Sequence, residues 1–212
     1  MAYFVTGASG FIGKRLVRKI LGRRGATVYF LARDTSPEKL APLYAYWGVD
    51  AKRAIPVQGD IAQPGLGLKA ADRREFAGKI RHFFHLAAIY DMSADAATNE
   101  SFNVDGTRHA VALANALQAG HLHHVSSIAV AGSYKGFFRE DMFDEGQKLP
   151  SPYHRTKFES ERLVREGATV PWRVYRPAIV IGDSRTGEMD KVDGPYYFFK
   201  AIQRARNALP QW

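Results

Sequence analysis

Short apolar runs alternate along the chain with longer stretches in which apolar residues recur every three or four positions. Tyr3-Phe4-Val5-Thr6 is such a run and ends at a glycine. Ile12, Leu16, Val17, Ile20 and Leu21 then fall on one face of a helix. Val28-Tyr29-Phe30-Leu31 predicts a second strand. A helix is predicted over 39–47, where Ser36-Pro37 supplies a cap and a first-turn residue. Further strands are predicted over 54–57, 82–86, 122–126 and 172–175, and further helices around 110–117 and 153–165. This βαβα order predicts an α/β fold, a Rossmann-type doubly wound parallel sheet with helices on both faces. Ligands of such sheets lie at the carboxyl ends of the strands. Gly7, Asp60, Ala87, Ser127 and Pro177 each follow a predicted strand, so they are expected to share one rim.

Composition narrows the picture. A chain of 212 residues with 46% hydrophobic content suits one domain, here residues 1–212. Lys and Arg outnumber Asp and Glu by 30 to 21, which favours an anionic ligand. The basic residues are scattered and carry no nucleic-acid signature, so no nucleic-acid partner is expected. No apolar run reaches bilayer length and no signal peptide is visible, so a cytoplasmic protein without a membrane span is expected. Cysteine is absent, which removes disulfide and thiolate chemistry.

The glycines of Thr6-Gly7-Ala8-Ser9-Gly10-Phe11-Ile12-Gly13 stand three apart, between a strand and an amphipathic helix. That context suits a tight turn with a helix N-terminus aimed at phosphate, so Gly7, Ser9, Gly10, Phe11, Ile12 and Gly13 are candidate cofactor contacts. An NAD site usually carries an acid at the end of the second strand, for the ribose 2′-hydroxyl. Here that position is Ala32, followed by Arg33. A guanidinium can pair with a 2′-phosphate, so NADPH is expected, although Asp34 adjoins Arg33. Asp60 and Ile61 could meet the adenine, or Asp60 could simply cap a turn. Ala87 and Ala88 are small enough for close cofactor approach, and equally for tight core packing.

Tyr153 and Lys157 lie one helical turn apart on one face. A phenol ionises near 10 in water, and an ammonium beside it favours the phenolate. Ser127 could bond a substrate oxygen, with Ser126 as a second candidate. The spacing alone also occurs in ordinary helices. His121, His123 and His124 cluster without the carboxylates or cysteines of a metal site, so no metal is expected. Gly194-Pro195-Tyr196-Tyr197-Phe198-Phe199 reads as the start of a core helix or as the wall of an apolar substrate channel.

Together these motifs resemble the extended short-chain dehydrogenase/reductase family over essentially the whole chain. The resemblance rests on Thr6–Gly13, Gly59-Asp60, His85-Leu86-Ala87-Ala88, Asn103-Val104-Asp105-Gly106-Thr107, Val125-Ser126-Ser127, Tyr153–Lys157 and Tyr175-Arg176-Pro177. Two further stretches, Phe138–Phe143 and Gly187–Lys200, resemble the N-terminal reductase domain of bacterial fatty acyl-CoA reductases. The resemblance implies Ser127, Tyr153 and Lys157 as a catalytic set, with Asn103 beside the active site. It places Pro177 and Ile179 beside the nicotinamide. It implies NADPH-dependent reduction of a fatty acyl thioester (acyl-CoA) or a fatty aldehyde. Such relatives continue into a C-terminal substrate-binding part and further domains, so a truncated domain that self-associates is expected. The alternatives are an NAD-dependent nucleotide-sugar epimerase or dehydratase, and a non-catalytic NADP-binding domain.

Overall fold

The computed structural model describes residues 1–88, 100–190 and 195–208. The chain forms two compact units, Met1–Pro177 and Ala178–Trp212. In the first, β1 (Ala2–Thr6) leads into α1 (Phe11–Leu21), and β2 (Thr27–Ala32) into α2 (Pro37–Trp47). Then follow β3 (Ala54–Gln58), α3 (Ala70–Phe76), β4 (Ile80–His85), α4 (Gly106–Ala116), β5 (Leu122–Val125), α5 (Pro152–Gly167) and β6 (Trp172–Tyr175). A wide helical turn, Glu100–Asp105, precedes α4, and a 3₁₀ turn, Ile128–Ala131, follows β5.

All strand pairs are parallel, in the order β3-β2-β1-β4-β5-β6. The order reverses between β1 and β4, as expected of a doubly wound sheet. Register and alternation divide the side chains between two cores. Tyr3, Val5, Val28 and Phe30 pack with Val17 and Ile20 of α1 and Leu40 and Trp47 of α2. Phe4, Phe83 and Leu122 face the other way, against Phe76 of α3, Ala110 and Leu113 of α4, and Val164 of α5. Phe4 and Phe83 stack at 4.9 Å in adjacent strands. Thr6, His85 and His124 continue that second face toward the carboxyl rim, in register across β1, β4 and β5. There the apolar packing gives way to buried polar groups.

The structure adds α3, which the apolar periodicity did not predict. Only Phe76 of its seven residues is buried, so it carries no amphipathic signal. β4 and β5 each end one residue earlier than predicted, at His85 and Val125. Leu86 N–H still donates to Thr6 carbonyl at 3.2 Å, so the β1 ladder runs on briefly.

The second unit holds α6 (Pro195–Ala208) after a turn in which Asp183 accepts from the backbone N–H of Arg185 and Thr186. Tyr197, Phe198, Phe199 and Ile202 are all more than half exposed. Among the described residues these four side chains are therefore not packed into a core. Gly194 and the end of the chain, Leu209–Trp212, lie outside the described residues. Among the described residues no helix is long and apolar enough to cross a membrane.

Candidate active site

The carboxyl rim begins at the glycine loop. Gly7 has a φ of +73°, a conformation that favours glycine, and a Cβ there would lie 2.6 Å from Ala87 nitrogen. A Cβ on Gly13 would overlap the Gly7 carbonyl. Gly7 and Gly13 are thus required by contact between the loop, β4 and α1. Gly10 is exposed and serves as the N-cap of α1. Gly10 has no side chain to cap that end and the first turn holds no acid, so its amide groups and dipole are open toward the loop among the described residues. These features fit a dinucleotide pyrophosphate. Ser9 and Ile12 are exposed around it, while Phe11 lies half-buried under the Arg15 guanidinium, 4.2 Å from its ring.

Arg33 is exposed just beyond β2. Its carbonyl accepts from Gln58 Nε2 at 2.6 Å, and Gln58 Oε1 accepts from Thr35 Oγ1 at 2.9 Å. Asp34 is turned to Ser36, whose N–H donates to it at 2.9 Å and holds its carboxyl below the usual range. The acid that adjoins Arg33 in sequence is thus engaged with its own turn. Asp60 accepts from Ala62 N–H at 3.0 Å, as a turn residue does. Ile61 is buried in the core against Gly106. Ala87 is half-buried against Gly7, and Ala88 is exposed.

Lys157 is buried, and its Nζ donates to Val125 carbonyl at 3.1 Å, at the end of β5. Burial lowers its pKa from 10.5 to about 8, with the charge of Glu161 partly opposing. Tyr153 stands one turn earlier on α5, half-buried. Ser127 caps the 3₁₀ turn after β5, accepting from Ala129 N–H at 3.1 Å. Ser126, the second serine candidate, is instead buried and donates to Glu161 at 2.8 Å. Asn103 is buried in the wide turn before α4 and reaches Thr156 of α5 at 3.4 Å. Pro177 carbonyl accepts from Ile128 N–H at 3.2 Å, next to Ser127. Ile179 belongs to the second unit and is exposed.

The model of the family described as "Male sterility protein" matches residues 5–211. The chain belongs to this family. It is a family of NAD(P)-binding, extended short-chain dehydrogenase/reductases. A linear gramicidin synthase polypeptide of Brevibacillus parabrevis is 33% identical over 207 residues, 91% of this chain and 4% of that protein. Fatty acyl-CoA reductase wat of Drosophila melanogaster is 25% identical over 240 residues, 91% of this chain and 46% of that protein. The solved terminal R domain of the myxalamid PKS-NRPS pathway superposes with a TM-score of 0.78 at 30% identity, covering 88% of this chain and 51% of that one. The chain thus spans about half or less of each of these relatives, and only a small part of the gramicidin synthase polypeptide.

One residue of this Male sterility family domain escaped the motif reading. Glu161 has no exposed surface. It accepts from Ser126 Oγ at 2.8 Å, Arg165 Nε at 2.8 Å, and Arg176 at 3.1 and 2.6 Å. Burial opposes its charge, but the bonds from Arg176, Ser126 and Arg165 outweigh burial and hold its carboxyl below the usual range. The available signal was its place four residues after Lys157, on the same helix face. On the opposite face of the sheet, His123 bridges His82 and the Tyr175 hydroxyl, each at 3.0 Å. Among the described residues no group of three His, Cys, Asp or Glu side chains has a metal-holding arrangement.

Glu161→Gln keeps the shape and removes the charge that Arg176 and Arg165 share. Breaking a buried pair from one side costs about 3–5 kcal/mol, readable in urea unfolding at neutral pH. The folded-state pKa of Glu161 is depressed, so its contribution is complete above the ordinary carboxylate pKa. It is lost as pH falls through the native value. The gap between wild type and variant should therefore narrow on acidification. A gap that stays constant down to low pH would refute the ionic account.

Proposed function

We propose that this domain is an NADPH-dependent reductase of an acyl thioester or the corresponding aldehyde, with Ser127, Tyr153 and Lys157 as its catalytic set. The observation that carries the reading is the buried Lys157 ammonium. It is held at the end of β5 one turn from Tyr153, with Ser127 just past the same strand end. A site of this kind offers an oxygen two hydroxyl donors and a proton source. The glycine loop and the α1 N-terminus hold the pyrophosphate, and Arg33 holds the 2′-phosphate. When bound, the cofactor would supply hydride to the carbonyl carbon, and with a thioester the C–S bond of the protonated adduct then breaks to release the thiol and give the aldehyde. Ser127 and Tyr153 bond the carbonyl oxygen, and Tyr153 gives it a proton as negative charge develops there. Lys157 favours loss of that proton by its charge. The thioester substrate draws support from relatives named as a fatty acyl-CoA reductase and as a synthetase R domain.

Palmitoyl-CoA, decanal and an aminoacyl thioester, assayed side by side for NADPH oxidation, test the reading. Oxidation with none of them overturns it. Tyr153→Phe keeps the ring and removes the acid, so turnover should fall by about two to four orders of magnitude while NADPH affinity changes little. Turnover close to wild type would exclude Tyr153 as the acid. The wild-type rate should fall as pH rises through about 8, where Lys157 loses its ammonium. A rate flat from pH 7 to 9.5 contradicts that role for Lys157.

The cofactor preference has its own test. Arg33→Ala removes one charge-assisted hydrogen bond to phosphate, worth about 1.5–3 kcal/mol, hence roughly ten- to a hundredfold in NADPH affinity. NADH affinity should be nearly unchanged. Equal losses for both cofactors, measured by fluorescence titration, would remove Arg33 from the 2′-phosphate site.

A further inference from the structure

Between the glycine loop and the active-site helix lies a chain of buried polar groups to which the proposed reaction gives no role. Thr6 is the last residue of β1, immediately before Gly7, and is fully buried. Its hydroxyl oxygen accepts from Ala87 N–H at 3.2 Å, the amide against which Gly7 packs. The same hydroxyl meets His85 Nδ1 at 2.8 Å, and His85 Nε2 meets Thr107 Oγ1 at 3.1 Å. Thr107 donates to Asn103 carbonyl at 2.6 Å. Ser160 Oγ of α5 lies 2.6 Å from that same carbonyl and 2.6 Å from Thr156 carbonyl, with one proton to give between them, and Asn103 Nδ2 reaches Thr156 of α5. His85, Thr107 and Asn103 are each at most 2% exposed.

One proton order satisfies every contact along this chain. A threonine hydroxyl has one proton to give. Thr107 gives its proton to Asn103 carbonyl, so His85 must donate from Nε2. Nδ1 is then a bare acceptor and takes the Thr6 proton, leaving the Thr6 oxygen to accept from Ala87. A second proton on His85 would leave the Thr6 hydroxyl proton with no acceptor in this chain. The surroundings oppose it as well: burial and the Lys157 ammonium on α5 lower the His85 pKa to about 3. The ring stacked on it from β5, His124, is fully buried and is itself held neutral.

We propose that His85 is a positioning residue whose neutral Nε2–H tautomer ties the glycine loop to the Asn103 turn, so that seating a dinucleotide and holding the Tyr153–Lys157 helix are mechanically one event. The inference rests on the dinucleotide reading of the glycine loop and is independent of the preference between NADPH and NADH. It makes Thr107, which lies on α4 away from the loop, matter to cofactor affinity.

The test uses Thr107→Val, which keeps the shape and breaks the chain at its far end. Dissociation constants for NADPH and NADH should both rise about three- to tenfold, the size of one net hydrogen bond. Thr107→Ser keeps the hydroxyl and should restore wild-type affinity. In a His85→Phe background the same Val change should add nothing, because the chain is already cut. A purely structural role would lower thermal stability and leave the dissociation constants where they were. Long-range proton–nitrogen NMR of the wild-type protein gives a readout that needs no variant. His85 should carry its proton on Nε2 alone between pH 5 and 9. A proton on Nδ1, unchanged affinity in Thr107→Val, or full additivity with His85→Phe overturns the proposal. A wild-type protein that binds neither cofactor instead overturns the dinucleotide reading on which it rests.

Discussion

Glu161 carries a full charge at a point with no exposed surface, and the rim of the first unit is organised around satisfying it. Its oxygens take bonds from the strand end at Ser126, from Arg165 on its own helix and from Arg176 beyond β6. A carboxylate in such a place is tolerable only when every bond is made, so the clasp admits little movement of its parts. Arg176 extends the clasp outward by donating to Met142 carbonyl at 2.7 Å, in the loop that leads to α5. Ser126 is pinned by this network, and Ser127 beside it is the one set at the head of the 3₁₀ turn. The division of labour between two adjacent serines follows from which of them faces the buried acid.

A second constraint acts at the other end of the same rim. The switch in strand order brings the loop after β1 against the residues after β4, and the contact between Gly7 and Ala87 is too close for any side chain. Beneath it Thr6, His85, Thr107, Asn103, Thr156 and Ser160 form a polar layer between the sheet and helices α4 and α5. Buried polar groups are costly unless paired, and paired groups are stiff. The layer therefore holds the loop and the helix in fixed relation, while the apolar faces below it supply the bulk of the packing.

The apolar patterning made the fold legible. Strand and helix alternation, the parallel sheet and the shared rim all follow from periods of two and 3.6, because burial on a sheet face or a helix stripe imposes them. The glycines at 7 and 13 were legible too, since no other residue fits their contacts. The pattern failed for α3, which buries one side chain, and for Tyr197–Phe199, where apolar character did not bring burial. Composition cannot tell an aromatic that packs from one that stands exposed.

For the site, the sequence by itself determined which chemical groups are present and which stand one turn apart on a single helix. Only the tertiary structure decided what each of them does with its neighbours. Ser126 and Ser127 are alike in sequence and opposite in role, because past the end of β5 the first meets Glu161 and the second opens a turn. Asp34 and Ile61 are engaged with Ser36 and with the core against Gly106, which their positions in the chain did not announce. Lys157 has its lowered pKa because β5 and α5 close over it. Glu161, His85 and Thr107 gain partners from residues 15 to 79 positions away. Hydrogen bonds and desolvation act over a few ångströms in space, and separation along the chain carries no record of those distances.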